Sequence, residues 1–216
     1  MFTGIIEATG VLKKLEAKGG DLRVTIQSDS LDFSDVKLGD SIASNGVCLT
    51  VTAQGADWFS ADLSAETLKR SLFGHYKQGQ RINLEKALLP TTRLGGHLVS
   101  GHVDGVTTIS KIQAEGRAWQ VYVKAPDELA RYLAEKGSVT IDGISLTINE
   151  LTAEDFRLTI VPHTALETTM SNWRVGSAVH IEVDLIARYL ERLLRPTDDK
   201  QKAGISLSLL QQSGFL

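Results

Sequence analysis

The sequence predicts an all-β protein built from two copies of one antiparallel barrel or sandwich unit, followed by a helix and a tail. Three observations predict it. At an offset of 97, residues 1–97 and 98–194 align without gaps and share 15 identities. The identities concentrate where Ser41–Val51 (SIASNGVCLTV) matches Ser138–Ile148 (SVTIDGISLTI), as a true repeat at one register should. Apolar residues alternate singly instead of following a helical period. The 19 glycines against 4 prolines suit short strands joined by tight turns.

In chain order, Leu22–Ile26 (LRVTI) alternates, as do Trp119–Val123 (WQVYV) and Val179–Val183 (VHIEV), so each reads as a half-buried strand. Lys18–Asp21, Gln54–Ala56 and Gln78–Gln80 carry glycine and read as turns. Pro126–Glu135 has proline and acids at its start, apolar residues at helical spacing and Gly137 beyond its end, which predicts a helix. Its counterpart, Ser30–Ser34, is less regular. The first unit spans 1–97 and the second 98–184, with the paired glycines of Leu94–His97 as a flexible joint. Asp184–Leu194 reads as an amphipathic helix stopped by Pro196, giving a helical segment at 185–195 and a tail at 196–216. Its apolar stripe either packs on the protein's own barrels or joins subunits. Thr197–Lys202 reads as a polar linker and Ile205–Phe215 as a short helix.

Composition narrows the function. The 23 basic and 26 acidic residues leave a net charge of −3, which gives no electrostatic case for nucleic acid or an acidic membrane. No stretch reaches the roughly 18 apolar residues of a membrane span. Met1–Glu7 lacks the basic and apolar regions of a signal peptide. A single cysteine, Cys48, excludes a disulfide framework and a multi-cysteine zinc site, and suits a reducing cytoplasm.

Familiar catalytic motifs are missing: there is no GxGxxG, Walker A, HExxH or GxSxG. His97 and His102 flank Leu-Val-Ser-Gly, and a strand there would turn them to opposite faces, so they form no metal site. The repeated block says more. Cys48 with Thr50, and Ser145 with Thr147, lie two apart, so each pair shares one face of a strand, with Leu49 or Leu146 on the other. Such polar pairs either close local hydrogen bonds inside a barrel or meet a ligand. Asp62–Thr67 and Thr159–Thr164 leave a strand carrying several donors and acceptors, as either a ligand loop or a capped turn would.

Met1–Glu7 (MFTGIIE), Asn45–Thr50 (NGVCLT), Gly95–His102 (GGHLVSGH), Asp142–Thr147 (DGISLT) and Pro162–Thr169 (PHTALETT), in order and at this spacing, resemble the alpha-chain type of riboflavin synthase over residues 1 to about 194. The resemblance implies two tandem six-stranded Greek-key barrels and a C-terminal helix that assembles a homotrimer, with each site between the barrels of neighbouring subunits. It implies a dismutation of two 6,7-dimethyl-8-ribityllumazine molecules, without metal or organic cofactor. One molecule donates a four-carbon unit to the other, giving riboflavin and 5-amino-6-(D-ribitylamino)uracil. Carried over by position, the substrate contacts of the first unit are Gly4, Ile5, Ile6, Cys48, Leu49, Thr50, Asp62, Leu63, Ser64, Ala65, Glu66 and Thr67. Those of the second are Gly101, His102, Val103, Lys136, Ser145, Leu146, Thr147, Ile160, Val161, Pro162, His163, Thr164 and Ala165.

His102 is the candidate proton acceptor for the acidic 7-methyl group. Cys48, Ser145, Thr147 or water could add at C7 of the other lumazine. Ser41, Asp142 and Asp184 could orient the ligand, and Phe2 could stack on a ring. A lumazine- or flavin-binding antenna protein without catalysis is the alternative, and a double-barrel module without a small ligand a third reading.

Overall fold

The computed structural model describes residues 1–194 and 211–214. It divides into two compact units, Met1–Leu185 and Ile186–Leu216. The first unit holds two closed barrels. β1 (Ala8–Lys18), β2 (Asp21–Gln27), β3 (Ser41–Ser44), β4 (Val47–Gln54), β5 (Trp58–Leu63) and β6 (Arg81–Lys86) close in the order β1-β2-β5-β4-β3-β6. β7 (Gly105–Glu115), β8 (Ala118–Lys124), β9 (Ser138–Ile141), β10 (Ile144–Leu151), β11 (Asp155–Ile160) and β12 (Ala178–Val183) close in the equivalent cycle. Among the described residues every strand pair is antiparallel, and closure leaves neither barrel a free sheet edge.

The repeat extends to irregularities. Register shifts fall at Leu12/Lys14 and Val51/Ala53 in the first barrel. They recur 97 residues on, at Ile109/Lys111 and Ile148/Glu150. Bulges tighten strand curvature, so small barrels need them at corners. Alternate residues point inward: Val47, Leu49 and Val51 are buried in one core, and Ile144, Leu146 and Ile148 in the other.

Pro126–Glu135 does not form the predicted helix. Only a 3-10 turn at Ala130–Tyr132 forms. Leu129 and Leu133 are both drawn into the core, and i→i+3 bonds rise faster per residue than an α-helix, so the segment spans the barrel end with fewer residues. Ser30–Ser34 forms a bend and the start of a turn instead of a helix, and Leu31 and Phe33 plug the core of the first barrel. α1 (Ala65–Arg70) and α2 (Pro162–Glu167) are single short helices. α3 (Leu185–Leu194), in the second unit from Ile186 onward, forms as expected. The linker and terminal helix expected at Thr197–Lys202 and Ile205–Phe215 lie outside the described residues, apart from Gln211–Gly214.

The barrels meet at the tips of two hairpins. Asn45-Gly46 joins β3 to β4, and Asp142-Gly143 joins β9 to β10; all four residues have positive φ, as a tight two-residue hairpin turn requires. A Cβ on Gly46 would lie 2.8 Å from the backbone nitrogen of Gly143, so only glycine permits the contact. Around it the barrels exchange hydrogen bonds. Asn83 Nδ2 donates to the Asp142 carbonyl (2.9 Å), and Asn83 Oδ1 accepts from Thr169 N–H (2.7 Å). His180, the repeat partner of Asn83, donates from Nδ1 to the Asn45 carbonyl (2.8 Å) and accepts Leu72 N–H at Nε2 (2.8 Å).

That geometry requires a neutral imidazole, because Nε2 faces a donor. Burial pushes the His180 pKa down to about 4. The unfolded histidine takes its proton near pH 6.5, so between pH 6.5 and 4 the unfolded chain binds more protons and stability falls as pH falls. His180→Asn can copy the bonds of Asn83 without titrating. Relative to that variant, the parent is expected to lose up to roughly 3 kcal/mol across this window in denaturant titrations. Asp142, pushed up to about 7 by burial, acts in the opposite direction.

Candidate functional site

The candidate residues are placed by two arms that reach the opposite barrel. Met1–Glu7 precedes β1, and Leu98–Asp104 precedes β7. They bridge antiparallel at Phe2 and Val99. Each arm is clamped by a buried carboxylate of its own barrel. Glu85 Oε1 accepts Thr3 N–H and Oγ1–H, both at 2.6 Å, and Oε2 accepts Gly4 N–H at 2.9 Å. Glu182 does the same for Ser100 N–H and Oγ–H, both at 2.7 Å, and Gly101 N–H at 3.1 Å. Burial raises both carboxyl pKa values, and these donors work against the rise.

The arm carbonyls then cross over. Gly4 C=O accepts Ser145 N–H (2.8 Å), and Gly101 C=O accepts Cys48 N–H (2.8 Å). Gly4 has φ +75°, and a Cβ there would lie 2.6 Å from that of Ser145. Two half-sites result. Gly101, His102 and Val103 stand with Cys48 and Thr50, while Gly4, Ile5 and Ile6 stand with Ser145 and Thr147. Chain order had grouped Gly4–Ile6 with Cys48; the exchange of arms reverses that grouping.

The polar pairs do not bond inside a barrel. β4 and β10 turn Leu49 and Leu146 inward, leaving Cys48 and Ser145 half-buried and Thr50 and Thr147 exposed on the outer faces. Leu63, Ile160 and Ala165 are also buried, so they can offer a ligand only backbone groups.

The following segments open each half-site. Asp62 is gripped by Arg23 through two bonds of 2.6 and 2.7 Å, which holds its carboxyl below the usual range. Ser64 caps α1 by accepting Thr67 N–H, with Ala65 opening the helix and Glu66 paired to Arg70 at 2.5 Å. In the second barrel Val161 and His163 are exposed around Pro162, the first residue of α2, and Thr164 C=O accepts Thr168 Oγ1–H (2.6 Å). Both segments are therefore helix starts as well as strand exits.

Two expected ligand groups are occupied otherwise. Asp142 Oδ1 accepts His180 N–H (2.8 Å) and Oδ2 accepts Trp173 Nε1–H (3.2 Å), so its carboxylate serves the barrel interface. Phe2 is 0% exposed, packed with Ala43 and Val99, and cannot stack on a ring. His97 and His102 do not share a strand: only the Phe2–Val99 bridge forms there. His102 is exposed beside the Cys48 half-site, whereas His97 is buried with Nδ1 2.7 Å from Ser145 Oγ. The spacing argument missed that contact because it assumed regular strand. A cleft of about 550 Å³ runs along the first arm, lined by Thr3, Ile5, Ser41, Glu85, Arg93 and Gly95, and includes neither Cys48 nor Ser145. Both polar pairs lie instead on open strand faces.

A lumazine binding domain model matches the chain twice, at residues 3–87 and 100–184. The riboflavin synthase of Photobacterium phosphoreum is 54% identical over 219 residues, covering 100% of both chains. This chain belongs to the riboflavin synthase family. Within the family it is also 40% identical to the enzyme of Bacillus subtilis (strain 168), again over 100% of both chains. Among solved structures, LumP complexed with riboflavin superposes with a TM-score of 0.78 at 25% identity, covering 85% of this chain and 99% of that one.

Lys136 carries a family-independent signal. Its φ is +65°, a left-handed conformation that disfavours side chains, and its repeat partner there is Gly39 at +91°. A lysine kept under strain points to a task for its side chain. Lys136→Gly is expected to raise unfolding stability by about 1 kcal/mol while weakening riboflavin binding, measured by denaturation and fluorescence titration.

Proposed function

We propose that the chain catalyses the dismutation of two 6,7-dimethyl-8-ribityllumazine molecules to riboflavin and 5-amino-6-(D-ribitylamino)uracil. The observation that carries this reading is the doubled half-site: one outward polar pair, one crossing arm and one carboxylate clamp, each present twice. Two identical substrates suit two such pockets, and holding them face to face turns a second-order encounter into an oriented one. His102 accepts a proton from the 7-methyl group of one lumazine. Ser145, Thr147, Cys48 or a water assists at C7 of the other. The remaining carried-over contacts, including Lys136, orient ring and ribityl groups. The reaction needs neither metal nor organic cofactor.

Because both polar pairs lie on open faces, the site is completed by a second copy, the first barrel of one subunit meeting the second barrel of another. α3 supports assembly as a homotrimer, since Ile186, Tyr189, Leu190, Leu193 and Leu194 are 53–79% exposed. The cytoplasm suits the free thiol of Cys48. A non-catalytic lumazine-binding protein is the second reading, since the chain also resembles LumP, solved in complex with riboflavin. The 54% full-length identity to a synthase outweighs 25% over part of the chain.

Purified protein mixed with the lumazine is expected to generate riboflavin, followed by absorbance. His102→Ala and Ser145→Ala are each expected to slow turnover by about ten-fold or more. Lumazine bound but unchanged would favour the non-catalytic reading, and parental rates in both variants would remove those residues from the chemistry.

A further inference from the structure

We propose that His97 is a positioning residue for Ser145, drawing its O–H inward so that the oxygen lone pairs face the outer side of the second barrel, and making the two half-sites chemically unequal. The inference rests on the dismutation reading for its functional consequence, but its structural basis is independent.

At the offset of 97 His97 aligns with Leu194, so the repeat supplies no second imidazole. The side chain is nevertheless tightly placed. Its backbone N–H donates to Thr3 C=O (3.1 Å), and the residue is 8% exposed. Gly96 lets the chain approach this closely, since a Cβ there would lie 2.1 Å from the Thr3 carbonyl oxygen. The imidazole Nδ1 then meets Ser145 Oγ at 2.7 Å.

The backbone N–H of Ser145 is already used by Gly4, so the imidazole acts on the hydroxyl alone. Burial favours the neutral ring, lowering its pKa against the opposing carboxylate of Asp184. In the tautomer protonated at Nε2, Nδ1 accepts the Oγ–H. The lone pairs of the serine oxygen are then directed away from His97, towards the open face. A protonated ring would instead donate to that oxygen and turn the hydroxyl around.

Cys48 has the same backbone bond to an arm glycine but different surroundings. It packs beside Phe2, Ala43 and Val99, an apolar cluster. A dismutation gives opposite roles to two identical molecules, so the site must tell them apart. His97 supplies one such distinction: only the molecule at the Ser145 half-site meets an aimed oxygen.

The test compares the parent with His97→Ala, His97→Gln, Ser145→Ala and the Ala/Ala double variant. Thermal unfolding first selects the folded proteins. His97→Ala is expected to lower kcat about ten-fold with a smaller change in KM, and the double variant to be no slower than the slower single one. His97→Gln can still bond the hydroxyl but does not titrate; it should recover part of kcat and flatten the acid limb of the pH–rate profile. Ser145→Ala should also shift the His97 Nδ1 resonance in long-range nitrogen NMR. Multiplicative losses in the double variant, or an unchanged acid limb in both His97 variants, would overturn the proposal. If the parent makes no riboflavin, the functional reading fails by itself, and the Nδ1 resonance still decides whether His97 holds Ser145.

Discussion

A buried carboxylate is costly unless its oxygens meet donors, and Glu85 and Glu182 meet theirs in the arms. Each takes two backbone N–H groups and one hydroxyl from two consecutive residues. The requirement runs both ways. Without the arm the carboxylate is orphaned, and without the carboxylate the arm has buried N–H groups with no partner. With the clamp closed, the carbonyl of the clamped glycine in each arm faces the neighbouring barrel. The bonds to Cys48 and Ser145 follow, and with them the composition of both half-sites.

The hairpin tips make the same demand in another form. Glycine against glycine brings two turns close enough that every polar group nearby must be matched. The repeats have diverged there in compensating pairs. Asn45 donates through Nδ2 to Tyr76 Oη, whereas Asp142 accepts from Trp173 Nε1. Amide with phenol and carboxylate with indole are each consistent; exchanging only one member would set two donors or a charge in the wrong place. Asn83 and His180 obey the same logic with different side chains.

Much of this was legible from the repeat alone. An offset of 97 aligns Gly4 with Gly101, Gly46 with Gly143 and Glu85 with Glu182, the very groups that build clamp and tips. Strand alternation gave the shared faces of Cys48/Thr50 and Ser145/Thr147, but period alone cannot say which face is outward. What failed depended on long-range geometry. The Pro126–Glu135 helix lost to the demands of closing a barrel end. Grouping Gly4–Ile6 by chain order missed the crossing because Gly4 and Ser145 are distant in sequence. His97 was invisible to repeat comparison because it aligns with the apolar Leu194.

Comparing the halves separates scaffold from specialisation. Where geometry is most constrained the repeats keep the same residue, as at the arm glycines, tip glycines and clamping glutamates. Around the half-sites they differ: Ser145 stands for Cys48, Lys136 for Gly39, and the buried His97 aligns with Leu194. All three add polar or cationic groups to the second barrel. A strictly twofold site would treat two identical ligands alike and could give neither a distinct role. The fold therefore keeps the symmetry that stacks two substrates and departs from it in the few side chains that could set them apart.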